Sequence, residues 1–265
     1  MNTVSISVAP AAASSAGMNT RRVIGAYIAE ARSECLRYMR APGFMLPIIL
    51  FPTMFYLLFG IVMGRSAGAD TTRYLLVSYG VFGVMSPGLF GFGVSLALER
   101  DGGLLTYKRA LPMPPGAYLL GKMLMAMVAA AMVILLLLAM GLALGHVPLS
   151  WQQAALLLLT GVLGVLPFCA LGMLVGTLIK GQGAPGMLNL VYLPMSFLSG
   201  LWIPLNMLPK LLQQIAPLWP SYHLHQLGLA ASGMEHGSVI RHSAVLLGFA
   251  AIFFLIAVRR LRRYG

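Results

Sequence analysis

The chain has 265 residues, of which 59% are hydrophobic and 9% charged, with a mean hydropathy of +0.86 and a formal net charge of +12. A soluble domain carries roughly 25% charged residues, so there is too little polar surface here to cover a globule in water, and a single membrane domain takes up the length. The basic residues sit beside long apolar runs, so the positive charge reads as orientation and attraction to anionic headgroups rather than nucleic-acid binding.

Residues 1–19 are small and uncharged, without the basic start and apolar run of a secretory signal. They are expected to form a disordered cytoplasmic leader, with Met18 an alternative start. Residues 20–41 then read as an amphipathic helix. Ile24, Ile28, Ala31, Cys35 and Met39 recur at spacings of three and four, with Glu30, Ser33, Arg37 and Arg40 on the other face. Such a helix suits the membrane surface; the plainer reading is a basic flank that orients the first span.

Six spans follow, each near the ~20 residues a bilayer requires. They run over about 43–63 (bent by Pro47 and Pro52), 74–98, from Lys122 to 145, 154–179, 185–204 and 238–258. Residues 205–232 are ambiguous: moderately apolar, but holding Lys210, three prolines and two histidines (His223 and His225). Charge decides their side. With six spans, all of the 18 Lys and Arg except Arg65, Arg73, Lys210 and Arg241 share the side of the termini. The positive-inside rule makes that side cytoplasmic. Residues 205–232 are then expected as an outer-side re-entrant or interfacial hairpin, with Trp202, Trp219 and Tyr222 at the depth that amphipathic rings favour.

The chemistry is notable for what is missing. Away from their ends, the expected spans hold no Asp, Glu, Lys or Arg, whereas ion-coupled carriers place such groups in the membrane. Gly116 to Gly121-Lys122 matches most of a phosphate-binding loop, but Met123 replaces the hydroxyl residue and no strand precedes it. The match is read as chance: the chain is expected to be no enzyme, to hold no cofactor, and to leave ATP and magnesium to a partner. Cys35 and Cys169 suit neither a disulfide nor a metal site. His223, His225, His236 and His242, with Glu235 nearby, are read as interfacial polar residues and not as a metal site, since positions i and i+2 do not share a helix face. Gly60/Gly64, Gly141/Gly145 and Gly172/Gly176 have the spacing that lets membrane helices approach closely.

The connection between spans two and three, Glu99 to Pro112, alternates acids, bases and apolar residues behind a glycine pair. That composition suits docking on another protein; the plainer reading is a loop that only orients the spans. Its Glu99-Arg100-Asp101-Gly102 start and Leu111-Pro112 end, the Gly121-Lys122 pair opening span three, and the late Ser199-Gly200-Leu-Trp-Ile-Pro204, Leu208-Pro209 and Ile215-Ala-Pro217 come in a telling order. In that order the chain resembles the permease subunit of ABC-2 type exporters, in their bacterial drug-export-like branch, over residues 20–263.

The resemblance implies a multi-pass protein of the bacterial inner membrane, paired with a second permease copy and with separate ABC-type ATP-binding subunits. It implies that Glu99, Arg100, Asp101, Gly102, Leu104, Tyr107, Lys108 and Arg109 couple to the ATPase. By placement, Ser78, Met85, Phe90, Tyr192, Met195 and Phe197 are expected to line the substrate path, on spans facing the dimer axis. The expected cargo is lipophilic or amphipathic, drug-like or lipid-like, moved outward. A lipid-linked glycan exporter, a secondary carrier and a non-transporting scaffold or sensor subunit remain as alternatives.

Overall fold

The computed structural model describes residues 20–64, 68–110, 114–234 and 237–264. The expected leader, Arg65, Leu111, Pro112, Glu235 and His236 lie outside the described residues, as do the side chains of Arg109, Arg262 and Arg263. Among the described residues all regular structure is helical.

Helix α1 (Thr20–Met39) is followed by α2 (Pro42–Phe55), which widens into a π-helix over Tyr56–Met63. Pro47 and Pro52 lie inside α2, where each removes a backbone donor and crowds the turn before it. Helix α3 (Ala69–Ser86), a π-helical segment (Pro87–Phe92) and α4 (Gly93–Asp101) form one continuous rod. A short turn through Gly103, in the left-handed region at φ 73°, leads into α5 (Leu104–Ala110). The long α6 (Pro115–Ala143) follows, then α7 (Trp151–Gly164) and α8 (Leu166–Leu178), separated by a kink at Val165 just before Pro167. A 3-10 turn (Gly181–Gly183) introduces α9 (Ala184–Leu198), and α10 (Lys210–Ile215), α11 (Pro220–Ala231) and α12 (Val239–Tyr264) complete the chain.

Among the described residues five helical segments are long and apolar enough to cross a bilayer: Pro42–Met63, Ala69–Asp101, Gly116–Ala143, Trp151–Leu178 and Val239–Leu261. These match the first four expected spans and the last. The fifth expected span, 185–204, differs. Helix α9 has 15 residues and stops where Gly200 takes a positive φ of 79°, so Leu201 to Pro204 leave the helix. At 1.5 Å per residue α9 is about 22 Å long.

The rod α3–α4 is the centre of the bundle. In its most apolar window 83% of residues are buried, against 11% for α12. Both π-helical segments take part in this packing: Tyr56, Gly60, Ile61, Gly88, Leu89 and Phe92 are buried. Helix α8 lies close against the rod because Gly172 and Gly176 leave their backbone faces open. A Cβ at Gly172 would meet the Gly88 carbonyl oxygen at 2.6 Å, and one at Gly176 the Gly93 carbonyl oxygen at 2.6 Å. The expected close-packing role of that pair is therefore seen within one chain.

Residues 205–232 contain the exposed six-residue α10 and the well-packed α11. Helix α11 buries Ser221, His223, Leu224, His225, Gly228 and Leu229 against α3, α7 and α12.

Candidate functional site

The densest polar chemistry lies where α1, α4, α5 and α6 meet. Of the expected polar face of α1, Ser33, Arg37 and Arg40 are exposed and Glu30 is half-buried, and the residue that turns fully inward is Glu34. Ile24, Ile28 and Met39 are exposed, Ala31 and Cys35 half-buried, and Glu34 and Tyr38 buried against α6. The acidic stripe Glu30/Glu34 points inward because three cations are waiting for it.

Lys122 on α6 is fully buried. Its ammonium donates to Glu34 at 3.1 Å, to Glu99 at 2.9 Å and to Ser95 Oγ at 2.8 Å. Arg37 bridges the same two carboxylates, pairing with Glu34 at 2.6 Å and with Glu99. Lys108 on α5 pairs with Glu30 and, at 3.0 Å, with Glu34. The Tyr118 hydroxyl donates to Glu99 at 2.7 Å, and its ring lies 4.7 and 5.1 Å from the Lys108 and Lys122 ammonium groups. Three carboxylates thus face three cations, and the cluster is neutral as a whole. Isolated charges at such depth would cost several kcal/mol each.

Sequence reading leaves the ends of the spans free to carry charge. The structure shows those ends inside: Glu99 and Lys122 lie within the membrane-length segments and are buried. Two partners outside those segments report the electrostatics. For Arg37, burial opposes the charge, but Glu99 and Glu34 outweigh it and raise the guanidinium pKa. Lys108 follows the same pattern: burial lowers its pKa, hydrogen bonds to Glu30 and Glu34 raise it, and the net direction is up.

The next two residues reach elsewhere. Arg100 donates to the carbonyls of Thr177 at 2.7 Å, Ile179 at 2.8 Å and Gly176 at 3.3 Å. It caps the last turn of α8, where free carbonyls and the helix dipole favour a cation. Asp101 Oδ2 accepts the Gly181 backbone N–H at 2.6 Å, at the start of the turn into α9. Three consecutive side chains therefore fasten one helix end to α1 and α6, to α8, and to the entrance of α9.

This redistributes the expected coupling residues. Glu99, Arg100, Asp101 and Lys108 are engaged within the chain, and of the four only Asp101 is also exposed. Gly102 ends α4 at φ −80° and ψ 1°, outside the helical region. Leu104 and Tyr107 point outward, at 36% and 63% exposure, while Leu105 is buried beneath them. The charges of Glu99, Arg100, Asp101 and Lys108 are accounted for by pairing within the chain; the exposed Leu104 and Tyr107 are what α5 leaves for another surface.

The expected path residues are mostly enclosed. Ser78, Met85, Tyr192 and Met195 are buried in this chain's own core and Phe90 is half-buried, leaving only Phe197 exposed. Ser78 Oγ hydrogen-bonds His225 Nε2 at 2.9 Å. Tyr192 donates to the Phe82 carbonyl at 2.9 Å and meets the Phe90 ring edge-on at 5.4 Å. Of the six, only Phe90 and Tyr192 are brought together in an aromatic contact. The exposed face of α9 instead presents Met187, Leu190 and Leu193 beside Phe197.

At this end of the molecule the buried side-chain contacts among the described residues are hydrogen bonds between neutral groups, while the Arg73 guanidinium at the start of α3 donates to the Pro148 carbonyl at 2.6 Å. His223 Nε2 donates to the Pro217 carbonyl at 2.9 Å, so its Nδ1 accepts from His242 Nδ1 at 2.8 Å. His225 turns to Ser78 instead, as the i, i+2 spacing requires. No group of three metal-ligating side chains occurs among the described residues. Glu30, Glu34, Arg37, Tyr118 and Lys122 went unassigned from sequence, although a signal existed. The chain has only six acids, and three of them flank apolar segments, where an acid demands a partner.

Apolar helices of bilayer length around a buried rod define a multi-pass α-helical membrane protein. The ABC-2 type transporter family profile matches residues 26–231, from α1 through α11, and the chain belongs to that family. It is also 28% identical over 232 residues to YvfS of Bacillus subtilis (strain 168), a transport permease by name, covering 85% of this chain and 92% of that protein.

Proposed function

We propose that the chain is the membrane-spanning subunit of an ATP-driven exporter, drawing its energy from a separate ABC-type ATPase and working with a second permease copy. The observation that carries this reading is the fastening of Glu99, Arg100 and Asp101 to α6 and α1, α8 and α9. A push on α5, which rides on the same turn, reaches all four helices without passing through a flexible loop.

In this reading Leu104 and Tyr107 meet the ATPase, beside the groove lined by Asp101, Gly102, Lys180 and Gln182. Both termini and α5 face the cytoplasm of a bacterial cell, as the distribution of Lys and Arg argues. The 3-10 turn Gly181–Gly183 extends α9 to about 28 Å, enough for a short sixth crossing. Helices α10 and α11 then cap the outer side, and α1 lies along the inner surface with Ile24, Ile28 and Met39 toward lipid. Exposed apolar faces on α2 and α9 suit contact with the second copy and with an amphipathic cargo, drug-like or lipid-like. ATP and magnesium bind in the partner; Lys122, spent on two carboxylates, is not free to hold a phosphate.

The test is a mild-detergent purification of tagged chain from native membranes. Co-purification of a stoichiometric soluble ATPase, lost in a Leu104→Asp/Tyr107→Ala double variant that still inserts, is the expected result. A chain that purifies alone as a stable oligomer would overturn the exporter reading and favour a scaffold.

A further inference from the structure

Between α1, the start of α2, α4 and α6 lies a half-open pocket of about 270 Å³, the space of roughly nine waters at ~30 Å³ each. Phe44, Val94, Leu98 and Met125 make its apolar wall, and Glu34, Arg37 and Glu99 its charged end. We propose that this pocket binds an amphipathic organic cation, whose charged head replaces the Arg37 guanidinium between Glu34 and Glu99.

The argument starts from access. Glu34 and Glu99 are 2% and 6% exposed and are bridged twice. Lys122 bridges them from behind with no exposure at all; Arg37 bridges them from the pocket with 45% of its side chain in contact with solvent. Of the cations on this carboxylate pair, Arg37 is the one that can leave for water at little cost. Something must take its place, because unpaired buried carboxylates are strongly destabilising. A ligand ammonium does so and leaves the charge balance intact. An anion would place a third negative charge against two buried ones.

Two further features fit the same class. Tyr38 and Phe44 line the pocket with rings edge-on at 6.1 Å, and aromatic walls attract organic cations. The Tyr38 hydroxyl is buried without a hydrogen-bond partner, which leaves polar capacity unused beside a site that would otherwise be hydrocarbon. An aliphatic or single-ring body resting on Leu98 and Met125 completes the match. Exchange of Arg37 for the ligand also loosens α1 from α4, so occupancy is sensed at the junction that Glu99 shares with α6. The inference rests on this chain's own residues and stands whether or not the chain transports anything.

The experiment is a fluorescence titration of the full chain, in phosphatidylcholine nanodiscs, with dansylcadaverine as the primary-ammonium probe, its aliphatic amine arm in the pocket and its dansyl group at the open mouth, and its N-acetyl derivative as the neutral control. Saturable binding of the ammonium probe, about tenfold tighter than the neutral one, is expected. Arg37→Ala removes the internal competitor and should tighten binding about tenfold. Leu98 is half-exposed, so Leu98→Arg and Leu98→Gln are both tolerated by the fold; only the arginine should weaken binding, again about tenfold. Equal affinity for the two probes, weaker binding in a monodisperse Arg37→Ala protein, or indifference to Leu98→Arg would each overturn the proposal. If Arg37→Ala fails to fold, the Leu98 pair still decides it.

Discussion

The two ends of the α3–α4 rod solve the problem of buried polarity in opposite ways. At the α4 end, three carboxylates and three cations are packed into one neutral cluster. At the α3 end, Ser78–His225, Ser199–Ser221, His223–His242 and the Tyr74 hydroxyl on the Gly200 carbonyl are neutral hydrogen bonds. A fully buried charge cannot lose its partner cheaply, so Lys122, Glu34 and Glu99 behave as one unit even where the exposed Arg37 can exchange. A neutral hydrogen bond is worth only about 0.5–1.5 kcal/mol net, so such pairs can exchange one at a time. The first arrangement transmits displacement; the second permits rearrangement. On the proposed function, that is the division of labour expected of a protein driven at one end and opened at the other.

The contrast can be broken most severely at Lys122. Lys122→Met leaves Glu34 and Glu99 without their innermost cation and should cost about 3–5 kcal/mol, seen as a collapse of the monodisperse peak in detergent. Adding Glu99→Gln should recover part of that loss, whereas no second substitution near Ser199 should help.

Arg100→Ala comes next. It releases three carbonyls at the end of α8 and removes charge-assisted bonds, for an expected loss of about 1.5–3 kcal/mol in thermal unfolding. Arg100→Lys should recover only part, since a point charge cannot span Gly176 to Ile179.

At the neutral end the effects are smaller and depend on pH. Burial lowers the His223 pKa, the Pro217 carbonyl raises it, and nearby Arg241 lowers it further; the net direction is down. The folded state therefore resists the second proton. This contribution is present above the unfolded value of about 6.5 and is lost as pH falls through the folded value. Thermal scans from pH 7.5 to 5 should show a midpoint that falls, and a fall that is blunted in His223→Gln.

Tyr107→Ala should change stability least, within about 0.5 kcal/mol, because the side chain is exposed. On the proposed function it nonetheless abolishes ATPase association in the co-purification assay. If stability changed while association held, the assignment of α5 as the docking element would fail.

Much of this was legible in the residues. Hydropathy alone marks Pro42–Met63, Ala69–Asp101, Gly116–Ala143, Trp151–Leu178 and Val239–Leu261, because an apolar run of bilayer length has few other stable uses. Spacing alone picks out Gly172/Gly176 as a close-packing pair. The order of short motifs from Glu99 to Pro217 points to the ABC-2 family that the profile match establishes.

Periodicity could divide α1 into two faces, but not say which face would be covered. That depends on Lys122 and Lys108, about ninety and seventy-five residues further on, whose charge complementarity drew Glu30 and Glu34 toward the bundle. Nor could composition tell that residues 99, 100 and 101 reach three different helices, since adjacent helical side chains diverge by about 100° and their targets are set by how α6, α8 and α9 pack around α4. Local physics wrote the helices; which charges meet was decided only when the bundle closed, because a buried ion pair joins residues that sequence keeps far apart.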